Sequence, residues 1–260
     1  VSFGLFAWAL SSKSFWVKLG FLSVSISVGF NMLASGQKSP ILWYLIGLFL
    51  TYVIVRRNGV VNKHHIFGIG AVLSVSVSFL YMFFRGADGL LSGFARALSR
   101  LTTGQIEGLY FYKKIFPELL PFQRGATFPN PGGIFPWDNF RLPVEVMEIA
   151  RPELMRGDVV GSMPTFFWGE LYVNFGTGLM LLITPLVGAY LSTIDIAFAK
   201  LRYSVFVVSI YVWSILHFRR LSNTGIGKFL FDFEFAIVLS LLLLAIMTFK
   251  RKNLITGRRC

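Results

Sequence analysis

Long apolar runs alternate with short polar junctions along this chain, and one long mixed stretch breaks the rhythm. The apolar runs occupy residues 15–34, 40–55, 65–84, 165–192, 203–217 and 229–249. Each approaches or exceeds the roughly 20 residues that a helix needs to cross about 30 Å of hydrocarbon. The run at 40–55 is short for that task and needs snorkelling flanks or a protected place. Residues 1–10 read as half of a further spanning helix, and with Val in first place they predict sequence preceding them. The pattern predicts an all-α polytopic membrane protein with six to seven transmembrane helices and one large segment outside the bilayer. It divides into N-terminal helices over 1–84, a lid of loop and helix over 85–163, and C-terminal helices with a basic tail over 164–260.

Composition agrees with a bilayer as the main solvent. Apolar residues make up 55% of the 260 and aromatic residues 17%, more than a water-soluble domain of this length can hide. The single cysteine, Cys260, excludes an intrachain disulfide and a multi-cysteine metal site.

The net charge of +13 invites a nucleic-acid reading until the charges are sorted by position. The segment 85–163 holds nine of the 25 Lys/Arg and eight of the 12 Asp/Glu, so it is nearly neutral. The other sixteen basic residues face four acids and sit mostly in short junctions, which is the distribution of the positive-inside rule. Arg56, Arg57 and Lys63 fall in one junction, Lys200 and Arg202 in another, and Lys250, Arg251, Lys252, Arg258 and Arg259 in the tail. Placing all three in the cytoplasm sends 85–163, 35–39 and 218–228 to the opposite face. Arg219, Arg220 and Lys228 then lie on the wrong side for the rule, a discord that draws attention to them.

Within 85–163 the first part has helical stretches, with Arg96 and Arg100 four apart on one face and an aromatic patch at Tyr110, Phe111, Tyr112 and Phe116. The next part, PFQRGATFPNPGGIFPWDNFRLP, is too rich in Pro and Gly for a long helix. It predicts an ordered loop anchored by Phe135, Trp137 and Phe140, followed by a short helix over VEVMEIARPELMRGD.

Candidate chemistry gathers where the chain re-enters the membrane. Glu170 is a carboxylate at the edge of an apolar helix, a costly place without a partner or a task. It shares a helical face with Asn174, and Gly169 and Gly176 allow close approach beside them. Two roles are open to Glu170: a structural carboxylate bonded to Asn174 or to an arginine, or a general base that orients a sugar hydroxyl. A phosphorylated ligand needs fixed cations, and Arg meets phosphate oxygens two at a time. Arg85, Arg96, Arg100, Arg124, Arg141, Arg151, Arg156, Arg219 and Arg220 are available on that side, with His217 beside the last two. Lys228 stands four before Asp232, the spacing of a helical ion pair. No zinc spacing, phosphate loop, dinucleotide fingerprint or nucleophile elbow is present, so no metal or cofactor is expected.

The run GSMPTFFWGELYVNFG at 161–176 resembles the signature of bacterial O-antigen and other oligosaccharide repeat-unit polymerases. SGQKSP at 35–40 and the stretch from Arg96 to Pro117 are weaker echoes of the same family. Members typically carry ten or more spans, against six or seven here. The resemblance implies an enzyme of the bacterial inner membrane whose active face is periplasmic. It would transfer a glycan from undecaprenyl diphosphate to a hydroxyl of the next lipid-linked unit, releasing the lipid diphosphate. Its partners would be lipid-linked oligosaccharide, membrane lipid and a chain-length regulator, with no nucleic acid. In this reading Glu170, Arg156 and Arg151 are catalytic. Arg124, Arg151, Arg156, Arg219 and Arg220 are the candidates for stabilising the departing diphosphate, and Arg96, Arg100 and His217 join them in binding substrate; Tyr172 and Asn174 position sugar, with Trp137 and Trp168 as stacking surfaces. A flippase for lipid-linked sugar and a ligase that attaches finished polymer are the competing readings. A flippase favours charges at mid-membrane and inverted repeats, neither of which the sequence shows.

The orientation has a direct check. Cysteines introduced across 85–163 should react with a membrane-impermeant maleimide in intact spheroplasts, and protection of all of them would reverse the topology.

Overall fold

The computed structural model describes residues 1–34, 39–57, 59–85, 88–138, 140–155, 161–201, 204–238 and 240. The helices among them are α1 (Ser2–Ser11), α2 (Phe15–Ala34), α3 (Ser39–Arg57), α4 (Lys63–Arg85), α5 (Leu90–Ile115), α6 (Leu142–Ala150), α7 (Phe167–Ala199), α8 (Val205–Phe218) and α9 (Ile226–Leu230). No strand occurs among the described residues. Among the described residues five helices are long and apolar enough to cross a membrane: α2, α3, α4, α7, and α8 with its extension to Ser222. Apolar α1 is only 10 residues long.

The run predicted at 229–249 differs at its start. Helix α9 closes at Leu230, and Asp232 then caps a new helical turn by accepting the N–H groups of Glu234 (3.0 Å) and Phe235 (3.3 Å). Most of the remaining run, and the tail, lie outside the described residues.

The chain forms two compact units, one of residues 1–98, 198–217 and 238–260, the other of 99–197 and 218–237. In the first, Ala7, Val208 and Val212 form a small buried cluster that Phe3, Leu50 and Ile54 cover. Tyr44 joins α3 to its neighbours, its hydroxyl lying 2.5 Å from Ser2 Oγ and 2.9 Å from Ser25 Oγ. Other hydroxyls bond back to the carbonyl four residues earlier, as Thr51 does to Gly47 at 2.8 Å, which satisfies them within their own helix. No residue of α2 is buried, and Trp16 (76%) and Phe30 (72%) are largely exposed. Such an apolar surface belongs against lipid or another apolar partner.

The second unit is built on the C-terminal half of α5. Tyr112, Ile115 and Phe116 pack with Leu142 and Val146 of α6, with Met163, and with Tyr172 and Val173 of α7. The 142/146 spacing gives α6 one apolar stripe, so the short helix predicted from VEVMEIA has a face to bury.

Helix α7 is interrupted at Gly176, whose φ of 74° and ψ of −178° lie where essentially only glycine is found. The break takes the carbonyls of Val173 and Asn174 out of the regular helical ladder. They accept instead the N–H groups of Gln123 (2.9 Å) and Arg124 (3.1 Å), which docks the Pro/Gly-rich loop on the helix. A Gly176→Ala substitution should destabilise the protein by about 2 kcal/mol, the usual scale for such backbone strain. Thermal unfolding of the purified protein in nanodiscs measures it.

Candidate functional site

The docked loop brings Thr127 onto Glu170, and the two carboxylate oxygens take different partners. Oε1 accepts the Thr127 hydroxyl at 3.1 Å, and Oε2 accepts the backbone N–H of Gly227 at 2.7 Å. Glu170 is 6% exposed, so these donors replace water around the carboxylate. Asn174, 1% exposed, holds the arrangement from behind. Its Nδ2 donates to Thr127 Oγ1 (2.6 Å) and to the Glu170 carbonyl (2.9 Å), while its Oδ1 accepts the Gly125 N–H (2.7 Å). The predicted face of Glu170 and Asn174 is thus real, but Asn174 meets the Glu170 backbone rather than its carboxylate. No arginine bonds to that carboxylate among the described residues.

Gly225 explains how α9 comes so near. A Cβ there would stand 2.4 Å from Glu170 Cδ, so only glycine leaves room for the carboxylate. Tyr112 lies close by, its O–H donating to the Met163 carbonyl at 3.0 Å. Burial, and secondarily the charge of Glu170, push the Tyr112 phenol above its ordinary pKa and keep it a donor.

Glu170, Tyr112 and Thr127 line a cavity of about 490 Å³. Its wall also holds Arg141 and Lys228, both exposed, and the polar groups of Ser162, Thr165, Asn223 and Thr224. A volume of this size suits a small ligand or one sugar with its neighbours.

Other predicted site residues are placed differently. Tyr172 is buried, donates its O–H to the Phe116 carbonyl at 2.7 Å and packs edge-on to Phe122. Arg124 contributes its backbone, at φ 49°, and its side chain is exposed. Trp137 stacks on Phe135 at 4.6 Å, with its Nε1 buried and unbonded among the described residues. Trp168 is 42% exposed beside Phe166 and Phe167.

Arg151 pairs with Glu107, and Arg220 pairs with Asp232. The expected partner of Asp232 was Lys228. Helix α9 ends between the two, so their four-residue spacing does not lie on one helix, and Asp232 pairs with Arg220. Arg219 is half-buried in the same turn as Arg220. Arg96 is exposed on the first unit's part of α5, and His217 is buried in the first unit, stacked on Trp213 at 5.3 Å. Arg156 and the side chain of Arg100 lie outside the described residues, as does most of the 35–40 turn.

Thr127, Gly225, Gly227 and Asn223 were not singled out by sequence. The closely spaced glycines in SNTGIGK were the available signal, since they permit close approach to another segment. No protein-family model, curated protein or solved structure matches this chain.

The packing predicts a coupled pair. Glu170→Ala should cost about 2–4 kcal/mol by stranding the Gly227 N–H and half of the Thr127 bonding. Gly225→Ala should cost roughly 1–3 kcal/mol by crowding the carboxylate. The double variant should fall short of the sum by about 1 kcal/mol or more, because the added methyl finds the space that the carboxylate vacates. Unfolding of all four proteins in one detergent checks it.

Proposed function

We propose that this protein is a membrane glycosyltransferase that polymerises undecaprenyl-diphosphate-linked oligosaccharide units at the periplasmic face of the bacterial inner membrane. One observation carries the reading: a buried carboxylate, Glu170, lines a cavity whose wall also holds the cations Arg141 and Lys228. The transfer needs both kinds of group. The acceptor hydroxyl attacks the anomeric carbon of the lipid-linked glycan and gives its proton to a base. The bond from that carbon to the diphosphate oxygen breaks, and cations receive the charge on the departing diphosphate.

Glu170 takes the base's part. Its two oxygens accept bonds from the Thr127 hydroxyl and from the N–H groups of Gly227 and Ile226, and a carboxylate offers about four acceptor sites, so capacity remains for a substrate hydroxyl. Arg141 and Lys228 take the diphosphate because both stand on the wall of the cavity that Glu170 lines, whereas Arg151 and Arg220 do not line it and pair with Glu107 and Asp232. Asn174 and Tyr172 hold the loop and helix that present Glu170. The apolar helices and the basic junctions between them support a multi-pass membrane location with the lid segment outside.

The test is the surface-polysaccharide ladder of a deletion strain complemented with variants. Glu170→Gln keeps an acceptor for Gly227 and places an amide against Thr127 Oγ1, so protein level and melting should stay within about 1 kcal/mol of the parent. Loss of the base should lower transfer by about 100-fold or more and collapse the ladder to single repeats. A normal ladder from Glu170→Gln removes Glu170 from the chemistry.

A further inference from the structure

The cavity wall at residues 223–225 holds a group that the transfer step leaves unused. Asn223 lines the cavity, and its Oδ1 is buried without a hydrogen-bond partner among the described residues. Its backbone is fixed, with the N–H donated to the Arg220 carbonyl at 3.0 Å, so the side chain starts from a set position. A buried amide oxygen left without a donor is uncommon in folded proteins and asks for a reason.

The neighbouring chemistry supplies one. Glu170 lines the same cavity with spare acceptor capacity. Lys228, whose charge acts on Glu170, is one donor here and the Thr224 hydroxyl is committed to the Arg220 carbonyl, so the unfilled acceptors favour a molecule carrying several hydroxyl groups. A primary amide is suited to such a partner, because it accepts from one hydroxyl through oxygen and donates to the next through nitrogen, and a half-turn exchanges the two. A phosphate group has little to offer here, since it brings mainly acceptors to a place already rich in them. Its place in the cavity is with Arg141 and Lys228.

We propose that Asn223 is a specificity-determining residue that hydrogen-bonds adjacent hydroxyls of the sugar held beside Glu170. The ligand class rests on the sugar-transfer reading above; the unfilled amide oxygen stands independently of it. Sites that pair a buried polar group with a substrate hydroxyl discriminate strongly against ligands lacking it, because the group is then left unpaired. Asn223 would accordingly decide which hydroxyl pattern is accepted.

The test uses the full chain in nanodiscs with three probes, the methyl α-glycosides of glucose, galactose and mannose, followed by saturation-transfer NMR. Tetrahydropyran-2-methanol, with its single hydroxyl, is the control. At least one glycoside should bind saturably and the control should not. Asn223→Leu should weaken that binding about tenfold or more, and the smaller change Asn223→Ser should also weaken it. Neither variant should lower the melting temperature of the sugar-free protein, because no Oδ1 bond is lost there.

Failure of all three glycosides to bind the parent overturns the proposal. So does equal binding by both variants, or a fall in sugar-free melting temperature that accounts for the lost binding. If glycosides bind in an Asn223-dependent way while deletion of the gene leaves the polysaccharide ladder unchanged, the polymerase reading fails and this assignment stands.

Discussion

A carboxylate withdrawn from water must be met by donors, and in this protein the donors that meet Glu170 come from two distant stretches of chain. Thr127 arrives on the loop after α5, and Gly227 arrives through α9. One side chain thereby ties three segments that have no periodic reason to associate. The cavity exists because these segments converge on Glu170 without filling the space beside it. The bonds that hold the carboxylate also set where its remaining lone pairs point.

The second dependence is on the broken helix. A regular α7 would keep the carbonyls of Val173 and Asn174 within its own ladder, and the loop carrying Gly125 and Thr127 would lose two anchors. Asn174 adds a third contact by receiving the Gly125 N–H. The loop is rich in Pro and Gly and cannot organise itself through a ladder of its own. Helix α7 supplies what it lacks.

Much of the helical layout was legible in the sequence because apolar runs bounded by polar junctions leave a strong signal, as at 15–34 and 65–84. The run around Glu170 was legible for a different reason: a carboxylate and an amide four apart in apolar sequence are conspicuous. Their partners were not. Gly227 contributes a backbone N–H, which has no residue signature, and Thr127 lies in a stretch without periodicity. Asp232 shows the limit of spacing rules. Its pairing with Arg220 depends on where α9 stops, and no strong stop signal separates Lys228 from Asp232. The many arginines gave a sense of the charge available but not of its distribution between structural pairs and open cavity wall.

The position of the interruption in α7 also settles a question of length. Beyond Gly176 the helix continues through residues 177–199. At 1.5 Å per residue this portion alone extends roughly 34 Å, against about 30 Å of hydrocarbon. The nine-residue portion bearing Glu170 is surplus to the crossing. It can therefore stand clear of the acyl chains, where a thinner or thicker bilayer would shift the lower rod without drawing the acidic group into oil.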